Sequence, residues 1–363
     1  MNSQTRQTDM KNMSRQELLT WLAEQKISSY RAGQIFRWIY LRQTDRFEEM
    51  SDLSLDIRQI LAEHFYVGRL EKEKIETSED GTKKFLFRLE DGKGIESVLI
   101  PEKDHYTLCI STQAGCAQGC RFCHTAQSGL QRNLSTAEIL AQIRDTAAGI
   151  SENDPRRLSN LVFMGMGEPL ANYPNLIRAL QIITDGDYGM KFSTRRVTVS
   201  TAGLVPMMEK LGRESDVNLA VSLNAADNET RNSLMPINRK YPLEILIDAC
   251  RNYSLKPRQR ITFEYILMKG INDSPEDAKR VVKLLRPVKA KLNLIPFNEH
   301  PGCEFHRPEE TDIRKFQEIL VNANYTAVIR YSKGADISAA CGQLSDSHSS
   351  IRIFKQSSIN LLV

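Results

Sequence analysis

Three cysteines fall within eight residues, in the run Gly115-Cys116-Ala117-Gln118-Gly119-Cys120-Arg121-Phe122-Cys123. The spacing is C-x3-C-x2-C. A cubane iron–sulfur cluster takes one thiolate per iron, so three local cysteines leave one iron open to bind another molecule. Structural zinc sites bring paired C-x2-C spacings and a fourth ligand. His124 would have to be that ligand, but its adjacency to Cys123 makes chelation of the same ion awkward. Local spacing therefore favours a three-thiolate cluster on Cys116, Cys120 and Cys123 over zinc. Three inert buried thiols fit poorly with the Gly, Gln and Arg that flank them.

A second candidate is the turn Met164-Gly165-Met166-Gly167-Glu168-Pro169-Leu170. Glycine lets a ligand approach the backbone, and the Glu168 carboxylate can take the ammonium group of an amino acid. Ser200-Thr201-Ala202-Gly203, Ser222-Leu223-Asn224 and Asn298 each follow an apolar run. They offer short hydroxyl or amide groups for a ribose, a carboxylate or an adenine. Singly, each is an ordinary loop residue; together, at successive strand ends, they suggest a shared ligand. Cys341 lies among small residues between Gly334 and Leu344, and Cys109 stands just before the three-cysteine loop. Alone, either reads as a buried structural cysteine. Cys250 and Cys303 match no motif and read as structural.

The elements that must position these groups follow from periodicity. Ser14 with Glu17 forms a capping-box pattern ahead of Leu18, Leu19, Trp21 and Leu22. Two more helices carry Ile35, Phe36, Trp38 and Ile39, and then Ile57, Ile60 and Leu61. Phe85–Leu89, the Asp91-Gly92 turn and Ile95–Ile100 predict a β-hairpin. From Tyr106, short apolar strands alternate with longer helical segments, which predicts a parallel sheet. Candidate strands are Tyr106–Ser111, Leu161–Met164, Arg196–Ser200, Leu219–Leu223, Thr262–Ile266, Leu292–Pro296 and Ala327–Tyr331. The expected fold is α/β, a partial (β/α)6 barrel with an N-terminal helical accessory domain and a β-hairpin. The expected divisions are 1–70 for the helical domain, 71–104 for a hairpin linker and 105–344 for the barrel. Residues 345–363 read as a weakly ordered C-terminal tail. Barrels of this kind keep their chemistry at the C-terminal ends of the strands, where the three-cysteine loop falls.

Composition narrows the class. The chain has 363 residues, 41% hydrophobic and 26% charged, with a net charge of +4. That balance is ordinary for a globular protein and permits contact with nucleic acid. No apolar stretch reaches membrane-spanning length, and residues 1–10 lack the apolar core of a signal peptide. Seven cysteines, three of them clustered, do not form a secreted disulfide framework. A cytoplasmic protein is expected, acting as a monomer.

The three-cysteine loop followed by the Gly167-Glu168-Pro169 turn resembles the radical S-adenosylmethionine (SAM) superfamily. More narrowly, residues 14–344 resemble the RlmN-type adenine C2-methyltransferases. The matching stretches are Leu108–Gln113 with the cysteine loop, Thr125–Gln127, Arg132–Leu134, Met164–Leu170, Arg195–Thr198, Met235–Asn238, Gly270–Asp273 and Ala339–Leu344.

The resemblance implies one 4Fe-4S cluster on Cys116, Cys120 and Cys123, and two SAM molecules per turnover. SAM would be bound by Gly167, Glu168, Ser200, Ser222, Leu223, Asn224 and Asn298. It implies methylation of Cys341, a radical step that joins the new carbon to carbon 2 of adenosine, and resolution by Cys109 through a disulfide. Glu96 matches the family's acceptor for the carbon-2 proton; its plain reading is an exposed hairpin glutamate. The implied substrates are 23S rRNA and tRNA, at the adenosine 3′ of the anticodon. An electron donor of flavodoxin or ferredoxin type and a thiol reductant would complete the cycle. Arg31, Arg37, Arg42, Lys83 and Lys84 are candidate phosphate contacts, with a solvated surface as the alternative.

Pro169 favours this type over the related Cfr type, which methylates carbon 8. A non-catalytic RNA-binding metalloprotein is the rival of another class; Cys109 and Cys341 argue against it. Two residues depart from the family pattern. Asn224 stands where many relatives carry histidine, and His124 replaces a small residue, with a ring expected either to tune the cluster or to face solvent.

Overall fold

The computed structural model describes residues 7–300 and 303–344; the expected tail at 345–363 lies outside them. The chain begins with three helices, α1 (Arg15–Glu24), α2 (Arg31–Phe36) and α3 (Leu55–His64). The capping box at α1 is formed: the Ser14 N–H donates to Glu17 Oε2 at 2.7 Å, and the Glu17 N–H donates to Ser14 Oγ at 3.2 Å. A short parallel ribbon, Thr8–Asp9 with Phe65–Tyr66, brings the ends of this segment together.

Next come three antiparallel strands, β1 (Glu71–Thr77), β2 (Lys83–Arg88) and β3 (Gly94–Pro101). They continue directly into the main sheet, because β3 pairs antiparallel with β4 (His105–Cys109). From β4 the chain alternates. It runs through α4 (Thr136–Ala147), β5 (Arg157–Phe163), α5 (Tyr173–Thr184), β6 (Val197–Thr201), α6 (Val205–Glu214) and β7 (Asn218–Ser222). It continues with α7 (Asn228–Leu234), α8 (Leu243–Arg251), β8 (Ile261–Leu267), α9 (Pro275–Leu285), β9 (Ala290–Pro296), α10 (Glu310–Asn322) and β10 (Ala327–Ile329). The ten-stranded sheet has the order β10-β9-β8-β7-β6-β5-β4-β3-β2-β1, and β4 to β10 run parallel. Consecutive strands lie side by side, so each crossover through a surface helix joins neighbouring strands. The strands expected from the sequence are all present, and the parallel run has one strand more than six repeats.

Side chains alternate across each strand. Val197, Val199, Leu219 and Val221 face outward and are buried under the helices, within a core that also holds Leu18, Ile35, Phe36 and Leu61 of the first helices. Charged groups join the same parts: Arg144 Nη2 on α4 reaches Asp45 Oδ1 at 2.7 Å, and the Leu70 N–H donates to Asp145 Oδ2 at 2.8 Å. The helical segment is therefore packed onto the barrel. The opposite strand faces turn inward around a cavity of about 810 Å³.

Candidate active site

The inward residues of the strands define the cavity: His105, Thr107 and Cys109 on β4, Thr198 on β6, Thr262 and Glu264 on β8, and Asn293 and Ile295 on β9. Period-two alternation places Ser200 and Ser222 on the same inward faces, at the C-terminal ends of β6 and β7. The segment after β10 closes the open side of the partial barrel. Asp336 accepts from Ser78 Oγ at 2.5 Å, the Gly334 N–H donates to Asp80 Oδ2 at 2.9 Å, and Lys333 Nζ reaches Glu102 Oε2 at 3.3 Å. This fastened segment brings Cys341 into the cavity opposite Cys109.

The two cysteines feel each other. Burial pushes the Cys109 thiol up, and the charge of Cys341 adds to the shift. Cys341 is open to the cavity, yet the walls around it still push its thiol up to about 11, first by desolvation and then by the charge of Glu264.

The cysteine loop lies above them. Desolvation raises all three of its thiols, Cys116 to about 12. Cys116, Cys120 and Cys123 also act on one another, and Glu168 acts on Cys116 and Cys120. The loop is held by backbone bonds, Cys116 N–H to Gly129 O at 3.0 Å and Arg121 N–H to Leu234 O at 3.0 Å. Cys303, read as structural, packs in the same small apolar cluster as Cys120 and Cys123. The His124 ring stacks on His300, centroids 5.4 Å apart and nearly parallel. The ring is half-buried and follows Cys123 directly in the chain.

Glu168 is buried beside this loop. Its Oε1 accepts from the Leu170 N–H at 3.1 Å and its Oε2 from the Ala202 N–H at 2.8 Å. Desolvation raises its pKa, and these N–H bonds oppose the rise. Gly167 holds φ at +98°, and a Cβ there would lie 2.5 Å from Gln113 Cβ. Only glycine lets Gln113 reach under the turn and accept the Glu168 N–H at 2.8 Å.

Other expected residues are placed differently. Asn224 takes φ +56° and its amide is engaged in the scaffold, with Oδ1 on the Ile266 N–H at 2.9 Å and Nδ2 on Met235 Sδ at 3.3 Å. Leu223 is fully buried. Asn298 Nδ2 donates to Ser332 Oγ at 2.8 Å. Glu96 is not an exposed hairpin residue; it is 3% exposed and lies 3.3 Å from Lys84 Nζ. It shares a face of β3 with Val98 and Ile100, which line the cavity. Lys84 is itself buried between Glu96 and Glu76, so the expectation that it contacts phosphate is wrong. Arg31 and Arg42 lie over the Tyr30 and Trp38 rings, and Arg37 over Tyr188.

One residue that ties the site together carried no sequence signal. Arg231 on α7 is fully buried and donates to Leu223 O at 3.0 Å, Asn238 Oδ1 at 2.8 Å, Ala202 O at 2.9 Å and Ser222 O at 3.0 Å. It thereby joins the ends of β6 and β7.

Comparison with known proteins resolves what this arrangement belongs to. Residues 110–285 match the Radical SAM superfamily, and residues 8–67 match the ribosomal RNA large subunit methyltransferase N-terminal domain. The dual-specificity RNA methyltransferase RlmN of Desulfosudis oleivorans is 55% identical, over 95% of this chain and 92% of that protein. This chain belongs to the RlmN family. The RlmN of Geobacter sulfurreducens is 54% identical, over 93% and 91% of the two chains. The crystal structure of a radical SAM methyltransferase from Sphaerobacter thermophilus superposes with a TM-score of 0.86 at 43% identity, covering 93% of this chain and 99% of that one. The chain is thus a SAM-dependent radical methyltransferase with the radical SAM fold.

Membership in the RlmN family implies SAM and an iron–sulfur cluster. The residues present fit both. Three soft sulfur donors come from one loop, and a buried carboxylate stands beside them. Among the described residues no three His, Cys, Asp or Glu side chains converge on one ion; a cubane instead gives each thiolate its own iron. No helix among the described residues is long and apolar enough to cross a membrane.

Proposed function

We propose that this chain methylates carbon 2 of adenosine in 23S rRNA and in tRNA, at the adenosine 3′ of the anticodon, through S-methyl Cys341 and a transient Cys109–Cys341 disulfide. The observation that carries this reading is the facing of Cys109 and Cys341 across one cavity, beneath the cysteine loop. A structural metal site needs neither cysteine.

Cys116, Cys120 and Cys123 would hold one 4Fe-4S cluster, which together with bound SAM would supply a 5′-deoxyadenosyl radical. Glu168 holds the SAM ammonium, and Ser200, Ser222 and Asn298 offer hydroxyl or amide groups to the rest. Cys341 accepts a methyl group from a first SAM as a thiolate nucleophile. Its S-methyl carbon, after losing a hydrogen atom, adds to carbon 2 of the adenine. That carbon is electron-poor and would not attack a sulfonium directly. Cys109 then attacks the Cys341 sulfur: the S–S bond forms, the carbon–sulfur bond breaks, the freed methylene takes a proton to become the methyl group, and the unpaired electron of the adduct would return to the cluster. Glu96 is the candidate acceptor for the carbon-2 proton, and Lys84 must release it to face the base. An electron donor of flavodoxin or ferredoxin type and a thiol reductant restore the enzyme, as a monomer in the reducing cytoplasm.

The cavity lining carries five Lys/Arg, namely Arg195, Arg196, Lys291, Arg330 and Lys333, against two carboxylates, Glu102 and Glu264. That excess suits an RNA backbone whose target base is splayed out into the lumen. The test is anaerobic incubation with methyl-labelled SAM and each RNA, followed by nucleoside mass analysis. 2-Methyladenosine is expected. 8-Methyladenosine would move the chain to the Cfr type, and unlabelled RNA beside labelled protein would refute the reading.

A further inference from the structure

β3 and β4 pair antiparallel from Pro101 with Tyr106 to Val98 with Cys109, and there the pairing stops. The next rung of that register would set Glu96 opposite Ser111. Buried backbone groups need partners, and here side chains supply all of them. Ser111 Oγ donates to Glu96 O at 2.6 Å, and the Glu96 N–H reaches Met166 Sδ at 3.3 Å. The Ser111 N–H donates to Gln142 Oε1 at 2.9 Å, and Gln142 Nε2 donates to Ser111 O at 3.0 Å. Gln142, on α4, thus stands in for the missing strand, and its Oε1 also accepts from Ser97 Oγ at 2.7 Å. Ser97, Ser111 and Gln142 are fully buried.

The Ser111 hydroxyl does more than close the rung. It also accepts from the Met166 N–H at 2.8 Å, so one oxygen ties the strand of Glu96 to the turn of Glu168. The approach is close: a Cβ on Gly165 would lie 2.7 Å from Ser111 Oγ and 2.8 Å from the Ile110 backbone. An ordinary backbone rung would join β3 to β4 alone, and β4 leaves the sheet at this point for the cysteine loop. We infer that Ser111 is a positioning residue, whose hydroxyl holds Glu96 in place against the Met166–Glu168 turn for its work on the carbon-2 proton. The inference rests on the reading of Glu96 as the acceptor of that proton.

The test reads how each addition event ends. When the methylene first adds, carbon 2 still carries its hydrogen and is saturated. Until a base removes that proton, an electron pair freed from the carbon–sulfur bond has no ring to spread into. Slow proton removal therefore leaves the RNA joined to Cys341. Full-length, cluster-loaded protein carrying S-methyl Cys341 is mixed anaerobically with SAM and RNA for a single turnover, quenched at early times and digested. Mass analysis gives the released 2-methyladenosine and the nucleotide still joined to the Cys341 peptide. Ser111→Ala should slow release by about 10-fold to 10²-fold, the scale of a misplaced catalytic group. The joined share should rise, as it should in Glu96→Gln. A merely structural bond acts otherwise: fewer folded or SAM-loaded molecules lower both masses together and leave the share unchanged. An unchanged share in Ser111→Ala beside a raised share in Glu96→Gln overturns the inference. An unchanged share in Glu96→Gln sinks the reading of Glu96 and the inference with it, and absence of both masses in wild type sinks the proposed function itself. Should Ser111→Ala not fold, Gln142→Met, which frees the Ser111 backbone, is held to the same outcomes.

Discussion

Arg231 offers a sharp test of how the site is held. Its guanidinium is fully buried and its four bonds go to neutral oxygens, on Leu223, Asn238, Ala202 and Ser222. Burial lowers its pKa to about 10, so it remains a cation at neutral pH. Bonds from a charged donor contribute about 1.5–3 kcal/mol each, which gives roughly 6–12 kcal/mol in gross terms for four of them. Desolvating the cation takes back several kcal/mol. Removing the guanidinium relieves that cost but leaves three buried carbonyls and one amide oxygen without this donor. The net destabilisation expected for Arg231→Met is about 3–5 kcal/mol. Arg231→Lys keeps the charge but not the planar fork, and should lose about half as much. Urea unfolding of the purified protein measures both. SAM affinity should fall with stability, since the ends of β6 and β7 lose their tie. An Arg231→Met protein within about 1 kcal/mol of wild type would show that the tie is dispensable and refute the reasoning.

Two further outcomes follow from the site. Replacing any one of Cys116, Cys120 and Cys123 by alanine should abolish iron binding and SAM cleavage, read by iron analysis and release of 5′-deoxyadenosine; a full cluster after two such replacements would contradict the assignment. Glu264 should also shape the pH dependence of stability. Its folded pKa, about 7, is raised above the unfolded carboxylate value, so its contribution is complete below that unfolded value and is lost as pH rises towards and through 7. Stability of Glu264→Gln relative to wild type should therefore rise by about 3 kcal/mol between pH 4 and pH 8, and a pH-independent difference in urea unfolding would contradict this.

Much of the barrel was legible because its strands bury one face under helices and its helices carry an apolar stripe. α5, Tyr173–Thr184, carries such a stripe, with Leu176, Ala179, Leu180 and Ile183 buried. Other elements escaped for physical reasons. β1, Glu-Lys-Glu-Lys-Ile-Glu-Thr, is an edge strand charged on both faces and carries no alternation to detect. α7, Asn-Glu-Thr-Arg-Asn-Ser-Leu, is held by the Asp227 cap and by Arg231 rather than by an apolar stripe. At the site, cysteine spacing located the loop, but the linear pattern hid which motif residues build scaffold. Asn272, in a matching stretch of no assigned role, donates to Asn224 O and Ile266 O, both at 2.7 Å. Asn238, in another, accepts from Arg231. Lys84 and Glu96 looked solvated because a hairpin alone exposes one face. The sheet that continues through β3 into β4 buries both. Glu264 sits within an apolar strand, Ile-Thr-Phe-Glu-Tyr-Ile-Leu, and a lone carboxylate there was the available signal for a polar lumen.

The most direct measurement of the two-cysteine account uses Cys109→Ala. Methylation of Cys341 and addition to adenine need only Cys341, whereas release needs the thiolate of Cys109. The carbon–sulfur thioether is stable without a positioned attacking thiolate. Protein made in cells with its RNA should therefore be trapped, and after nuclease digestion mass analysis should find a nucleotide joined to the Cys341 peptide. Normal turnover by Cys109→Ala, with free methylated adenosine and no such adduct, would contradict the account.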